Sequence, residues 1–222
     1  MSVTAIVPMR HNSERVPGKN YRPLAGIPLY HHVVRTLRDV PEISRVIIDT
    51  DSELILDDAA KVFPDVTAVV RPPHLRDGEI PMNDVLAHTM SFVDTDTVLQ
   101  THSTNPFMRA ATFSAAVQTF LERNDLHDSL FSVTRLQTRI WSSDATPVNH
   151  DPAVLLRTQD LEPLYIENSC FYLFNKRALL ASGNRIGTRP YMFEVDAIEA
   201  IDIDEERDFA LAVAIAESGF LK

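Results

Sequence analysis

The chain has 222 residues, of which 45% are hydrophobic and 23% are charged. This length and composition predict one large domain, which we assign to residues 1–222, and argue against a disordered chain. The formal net charge of −10 excludes a general nucleic-acid binder, because the phosphate backbone would be repelled. The single cysteine, Cys170, excludes an internal disulfide and a zinc site built from several cysteines.

The first 134 residues alternate between strand-like and helix-like segments. Short apolar runs predict buried strands at residues 4–7, 45–49, 66–70, 97–100 and 129–134. The pattern between them predicts helices at about residues 29–37, 52–61, 83–92 and 112–122, the second of them capped by Ser52. This alternation predicts an α/β fold, with a mostly parallel mixed sheet and helices on both faces. Ligands of such sheets bind beyond the carboxyl ends of the strands, so we expect the chemistry in the loops there.

The alternation stops at residue 137. Residues 137–174 contain Trp141 and three prolines, and their one clear apolar run is residues 170–174. We interpret approximately residues 137–175 as a small protruding lobe, a dimer surface, or both. Beyond it, residues 200–203 predict a strand, and residues 204–217 predict an amphipathic helix opened by acidic residues. No signal peptide or membrane-spanning pattern is visible, so we expect a cytoplasmic protein without a membrane partner.

The first predicted strand is followed by a basic loop, residues 10–20. The loop carries Arg10, Arg15 and Lys19 among small polar residues, and a triphosphate needs such donors converging at a strand end. It contains neither G-x-x-x-x-G-K-[ST] nor G-x-G-x-x-G, which excludes a Walker loop and argues against an NAD-linked dehydrogenase. Charge alone leaves open a solvated basic loop.

The opening of the chain carries a longer pattern. Residues 5–10, then Asn12 and Ser13, then 17–20 and 23–29 read A-I-V-P-M-R, N-S, P-G-K-N and P-L-A-G-I-P-L. This pattern resembles the signature of the acylneuraminate cytidylyltransferases, with Glu14 in place of the usual lysine. The resemblance implies a Rossmann-like fold of the nucleotide-diphospho-sugar transferase type. It also implies an enzyme that joins CTP to an acidic 2-keto-3-deoxy sugar.

A second motif lies near the end of the chain, at Asp202-Ile203-Asp204. On a strand, residues two apart face the same side, so both carboxylates could reach one hard cation such as Mg²⁺. The alternative is that Asp204 caps the following helix and Asp202 is solvated. The family carries a D-I-D followed by D-F here, and this resemblance favours the magnesium site.

The resemblance also assigns roles to individual residues. It implies catalytic roles for Arg10, Lys19, Asp202 and Asp204. It implies nucleotide-binding roles for Arg10, Asn12, Ser13, Arg15, Lys19, Asn20 and Arg71. It implies sugar-binding roles for His102, Thr104, Asn105, Arg157, Gln159 and Asn168, although a gapped alignment would put Gln100 at the position of His102. Arg157 is the candidate cation for the sugar carboxylate.

The acceptor and the partners follow from the same resemblance. We expect sialic acid or a related nonulosonic acid as acceptor. The alternatives are Kdo, a pseudaminic or legionaminic type of acid, or a non-catalytic nucleotide-binding homologue. In the family, the region of residues 137–175 helps to build a dimer and closes the sugar site of the neighbouring subunit, so we expect a homodimer.

Overall fold

The computed structural model describes residues 2–219. Its strands are β1 (Val3–Met9), β2 (Pro23–Leu24), β3 (Ile27–Pro28), β4 (Ile43–Thr50), β5 (Thr67–Val70), β6 (Thr97–Thr101), β7 (Ser129–Leu136), β8 (Leu164–Asn175) and β9 (Pro190–Glu194). Its α-helices are α1 (Leu29–Arg38), α2 (Glu53–Val62), α3 (Met82–Thr89), α4 (Ala110–Glu122), α5 (Lys176–Ser182) and α6 (Glu206–Ser218). No helix of this described part is long and apolar enough to cross a membrane.

One mixed sheet organises the described chain, with the strand order β5-β4-β1-β6-β8-β7-β9. β1, β4, β5 and β6 run parallel to one another, β9 runs parallel to β7, and β8 is antiparallel to both of its neighbours. The predicted fold class, a mostly parallel mixed sheet of the α/β type, is confirmed. The carboxyl ends of the four parallel strands meet at one edge, where a ligand site is expected.

Alternate residues of β1 face opposite sides of the sheet and belong to two separate parts of the core. Val3, Ala5, Val7 and Met9 face one side, where they pack with α1, α2 and α4. Ile6 faces the other side, where it packs with α3 and α5. A third cluster joins α6 to the segment after β1, with Ile203 fully buried in it. The predicted helices on both faces are therefore confirmed, as is the predicted cap at Ser52, whose Oγ accepts from the Ile55 N–H at 3.4 Å.

The predicted strand at residues 200–203 is wrong. These residues join no strand, because their backbone bonds to the loop after β6 instead. The Ile203 N–H donates to the Thr104 carbonyl at 2.9 Å, and the Asn105 amide donates to the Ile201 carbonyl at 3.2 Å. The next helix begins at Glu206 rather than at residue 204, with Glu205 and Asp208 forming a capping box.

The region of the predicted lobe forms an arm. β7 and β8 continue their pairing out to Leu136 and Leu164, and the residues between them contain a single bridge, Trp141 to Pro147. Apolar side chains are exposed on the arm, and Leu155 is 89% exposed. Its role in a dimer stays a prediction. Sequence reasoning did not find α5, β9, or the full length of β8.

Candidate active site

A cleft of about 560 Å³ opens at the carboxyl ends of β1 and β6. The seven residues predicted to bind the nucleotide all line it: Arg10, Asn12, Ser13, Arg15, Lys19, Asn20 and Arg71. His102, Thr104, Asp202 and Asp204 line it as well. The structure therefore brings together residues from both ends of the sequence, as the motifs predict.

The basic loop is held in place by Asn20, which is 7% exposed. Its side-chain amide donates to the Arg10 carbonyl at 2.8 Å, and its carbonyl oxygen accepts from the Ser103 hydroxyl at 2.6 Å. Gly18 lets the chain turn before it, with a φ of +68° that disfavours residues with a Cβ. Asn20 thus fixes the basic loop against the loop that follows β6, and little of its side chain faces the cleft.

Asp204 meets the cations of this loop across the cleft. Its Oδ1 lies 3.1 Å from Arg15 Nη2 and 3.4 Å from Lys19 Nζ. Lys19 also donates to the Ile203 carbonyl at 2.6 Å, which ties the loop to the segment before α6. Positive and negative groups therefore face the same volume, an arrangement that suits a polyphosphate and a cation bound together.

Asp202 contrasts with Asp204, because its Oδ1 is buried and has no hydrogen-bond partner in the described chain. Burial, together with repulsion from Asp204, raises the pKa of Asp202. A buried carboxylate oxygen without a donor is costly unless a cation or a proton satisfies it. Two carboxylates that line one cleft offer the hard oxygen ligands that Mg²⁺ prefers, so the residues fit this metal. No cluster of three or more His, Cys, Asp or Glu side chains suited to a metal occurs within residues 2–219.

Arg71 lines the cleft, but its guanidinium is bound by Asp49. Arg71 is 2% exposed, and its Nε donates to Asp49 Oδ1 at 2.6 Å. The second oxygen, Asp49 Oδ2, accepts from the Thr89 hydroxyl at 2.7 Å. The structure thus places Arg71 as a brace between the ends of β4, β5 and α3, and its direct contact with a nucleotide stays a prediction.

His102 lines the cleft, and Gln100 lies behind it. Gln100 is fully buried, and its Oε1 accepts from Arg185 Nη1 at 2.6 Å. Its amide group therefore faces His102 and donates to Nε2 at 3.0 Å. Burial, with Arg185 and Lys19 nearby, lowers the pKa of His102 to about 4. His102 is thus neutral near pH 7, and it lines the cleft while Gln100 orients it from behind.

Four of the residues predicted to bind sugar do not line this cleft. Asn105 is 1% exposed and braces Ile201, as described above. Asn168 donates to Thr134 Oγ1 at 2.9 Å and accepts from the Cys170 N–H at 3.2 Å. Asn105 and Asn168 therefore both connect segments of the fold. Arg157 and Gln159 lie on the exposed arm, where Arg157 Nε bonds Asp160 Oδ2 at 2.6 Å. Thr104, with His102, does line the cleft.

Sequence reasoning missed Arg185, which lines the cleft from the turn between α5 and β9. The sequence signals only a tight turn here, because two glycines flank Arg185 closely, and nothing local indicates the role of the arginine itself. Gly183 has a φ of +69°, and a Cβ at Gly187 would lie 2.2 Å from Asp128 Oδ1. Also missed was Gly78, whose added Cβ would lie 2.7 Å from Arg10 Nη1.

Comparison with known proteins gives consistent results. The sequence profile of a family described as cytidylyltransferase matches residues 4–219. The chain is 28% identical over 220 residues to N-acylneuraminate cytidylyltransferase A of Danio rerio, covering 95% of this chain and 50% of that protein. It is 26% identical over 229 residues to the CMP-N,N'-diacetyllegionaminic acid synthase of Legionella pneumophila subsp. pneumophila, covering 98% of this chain and 97% of that protein.

Solved structures show the same fold. A CMP:2-keto-3-deoxy-manno-octonic acid synthetase complexed with CTP superposes with a TM-score of 0.71 at 13% identity, covering 98% of this chain and 99% of that one. The chain spans about half the length of the N-acylneuraminate cytidylyltransferases that it matches. These matches confirm the family resemblance that the motifs indicated.

Proposed function

This chain belongs to the cytidylyltransferase family, and from that premise we propose that it joins CTP to an acidic 2-keto-3-deoxy sugar. The products are a CMP-sugar and pyrophosphate. The observation that carries the proposal is the meeting of Arg15 and Lys19 with Asp204 at the mouth of the cleft. A nucleoside triphosphate needs cations for its phosphate oxygens and carboxylates for its metal, and this cleft offers both. The relatives named above support the acidic class of acceptor.

The proposed reaction is an in-line displacement. The anomeric hydroxyl oxygen of the sugar bonds to the α-phosphorus, the bond to the bridging oxygen of the β-phosphate breaks, and pyrophosphate leaves. The proton of the hydroxyl passes to solvent. Arg10, Arg15 and Lys19 offset charge on the phosphates, and the bound geometry supplies much of the rate enhancement. His102, being neutral, contributes hydrogen bonding rather than charge.

Asp202 and Asp204 are the residues that we propose to hold Mg²⁺. The orphaned Oδ1 of Asp202 supports this assignment, since it has no other partner in the described residues. Bound there, the ion would neutralise charge on the triphosphate. Asp204 would then exchange part of its contact with Arg15 and Lys19 for the metal, freeing both cations for the phosphates.

A homodimer is the assembly that we propose. Leu155, Trp141 and Ile166 are at least half exposed on the arm, and exposed large apolar side chains favour an interface. Arg157 and Gln159 would then meet a partner's cleft rather than their own. Sedimentation at several concentrations should give a dimer, and a strictly monomeric species would refute it. The buried Cys170 thiol, whose pKa burial raises to about 12, is compatible with the cytoplasmic location that we also propose.

Pyrophosphate release tests the proposed reaction. Four nucleoside triphosphates are each combined with sialic, legionaminic, pseudaminic and Kdo-type acids in the presence of Mg²⁺. We expect release with CTP and at least one of these acids. Asp204→Ala should abolish release while the fold persists, and Glu206→Gln is the matched control, since Glu206 pairs with Arg22 at the surface. Binding of CTP without release in any combination would support a non-catalytic homologue instead.

A further inference from the structure

We propose that Arg185 binds the carboxylate of the acidic acceptor and so selects acids over neutral sugars. The inference rests on the proposed function and names the cation that this function requires. An acceptor that is a carboxylic acid presents a planar anion, which a guanidinium recognises with two parallel hydrogen bonds.

The position of Arg185 is fixed from three sides. Its backbone N–H donates to Asn83 Oδ1 at 3.3 Å, which ties the turn to the start of α3. Its guanidinium carbon lies 3.6 Å from the centroid of the Tyr172 ring, and Nη1 donates to Gln100. Stacking and one hydrogen bond orient the fork before any ligand arrives, which reduces the entropy lost on binding.

The charge of Arg185 has no carboxylate partner among residues 2–219, although the side chain is half-buried. Glu167 acts on it electrostatically, but this carboxylate accepts the hydroxyl of Tyr172. A guanidinium has five N–H donors, and the contacts with Gln100 and the Tyr172 hydroxyl use two of them, which leaves three for a ligand. A partly buried cation with free donors on the wall of a cleft is suited to receive an anion.

Of the other cations of the cleft, Arg10 belongs to the basic loop, and the remaining three are engaged elsewhere. Arg15 and Lys19 contact Asp204, and Arg71 is bound by Asp49. Arg185 is instead linked through Gln100 to His102, a residue that the motifs assign to the sugar. This link places Arg185 with His102 on the acceptor side of the cleft, because the phosphates require the loop after β1.

Arg157, the cation expected from the sequence, is less suited to this role within its own chain. Its side chain is 73% exposed and already paired with Asp160. Arg185 lines the cleft. For one subunit, the structure therefore favours Arg185 as the carboxylate partner.

The test compares an acidic acceptor with its methyl ester, which keeps the anomeric hydroxyl and loses the charge. The acceptor is the acid that gives the fastest pyrophosphate release with wild-type protein and CTP. Michaelis constants for acceptor and CTP are measured for wild type, Arg185→Met and Arg185→Lys. Arg177→Met is the matched control, because Arg177 is an exposed arginine of α5 outside the cleft.

We expect Arg185→Met to raise the KM for the acid on the order of 10- to 100-fold, the range for a lost hydrogen bond to a charged group. The KM for CTP should change less than about 2-fold. The preference of wild type for the acid over the ester should disappear in Arg185→Met and persist in part in Arg185→Lys. Arg177→Met should match wild type. If Arg185→Met does not fold, the ratio of acid to ester for Arg185→Lys decides.

Two outcomes would overturn the inference while leaving the proposed function intact. One is turnover by Arg185→Met with an unchanged KM for the acid. The other is a raised KM for CTP alone, which would assign Arg185 to the nucleotide. Absence of pyrophosphate release from wild type with every acid would instead refute the proposed function, and the inference with it.

Discussion

Replacing Asp202 with Asn should make the protein more stable and nearly inactive at the same time. Asn has the shape of Asp but no charge, so the substitution removes the anion and little else. Oδ1 of Asp202 is buried without a hydrogen-bond partner, and both burial and Asp204 raise the pKa of this carboxyl. The folded protein therefore carries an unfavourable charge at this point when no cation is bound.

The magnitude follows from the cost of a buried polar group without a partner, about 1 to 3 kcal/mol. We expect Asp202→Asn to increase the free energy of unfolding by about 1 kcal/mol in chelator-treated buffer at pH 7, at the lower end because Thr104 partly favours the charged form. Saturating Mg²⁺, at about 100 times its Kd, should stabilise wild type by roughly 2.7 kcal/mol and the variant much less. The kcat/KM of the variant should fall by a factor on the order of 100 to 1,000.

Urea unfolding with and without Mg²⁺ provides the assay, and Asp204→Asn provides the contrast. Asp204 is ion-paired with Arg15 and Lys19 and is 45% exposed, so its loss should leave stability unchanged or lower it by less than about 1 kcal/mol. A lower stability of Asp202→Asn without metal, or turnover like that of wild type, would refute the reasoning.

Three further predictions concern the walls of the cleft. Gly78→Ala should raise the KM for CTP about 3- to 10-fold by displacing Arg10 Nη1, with thermal stability unchanged; an unaltered KM would show that Arg10 does not contact CTP. The free energy of unfolding of wild type should fall by up to about 3 kcal/mol as pH falls from 6.5 to about 4, because the pKa of His102 is about 4 in the folded protein and about 6.5 in the unfolded one. His102→Gln should lack this fall, and parallel curves of stability against pH for the two proteins would contradict the prediction. Asp49→Asn should lower the free energy of unfolding by about 3 kcal/mol in urea, because it leaves the charge of Arg71 buried and uncompensated; a loss below about 1 kcal/mol would contradict it.

Much of the fold was predictable because each parallel strand is a short apolar run that can be recognised from its own residues. Residues 4–7 and 97–100 place apolar side chains on both faces of the sheet, which is typical of strands covered by helices on both sides. The strand predicted at residues 200–203 failed because apolar residues there bury Ile203 against α6 without pairing to the sheet. β9 was missed because it begins at Pro190 and alternates between half-buried and exposed residues.

The site was predictable wherever one short motif supplies it. The basic loop and the pair of aspartates are each a short local motif, and the structure brings the two motifs to one cleft. Arg185 depends instead on contacts with Gln100 and Tyr172, which are distant in sequence, so no local pattern reveals it. Asn105 and Asn168 have polar side chains at positions suited to sugar binding in the sequence, but both side chains form hydrogen bonds with backbone groups.

The stoichiometry of the products tests the central claim most directly. Phosphorus NMR of wild-type protein with CTP, Mg²⁺ and an acidic 2-keto-3-deoxy sugar follows every phosphate at once. The account predicts one phosphodiester signal of a CMP-sugar for each pyrophosphate formed, and no loss of CTP when the sugar is omitted. Unchanged CTP with every acid, or pyrophosphate formed without a sugar, would contradict it.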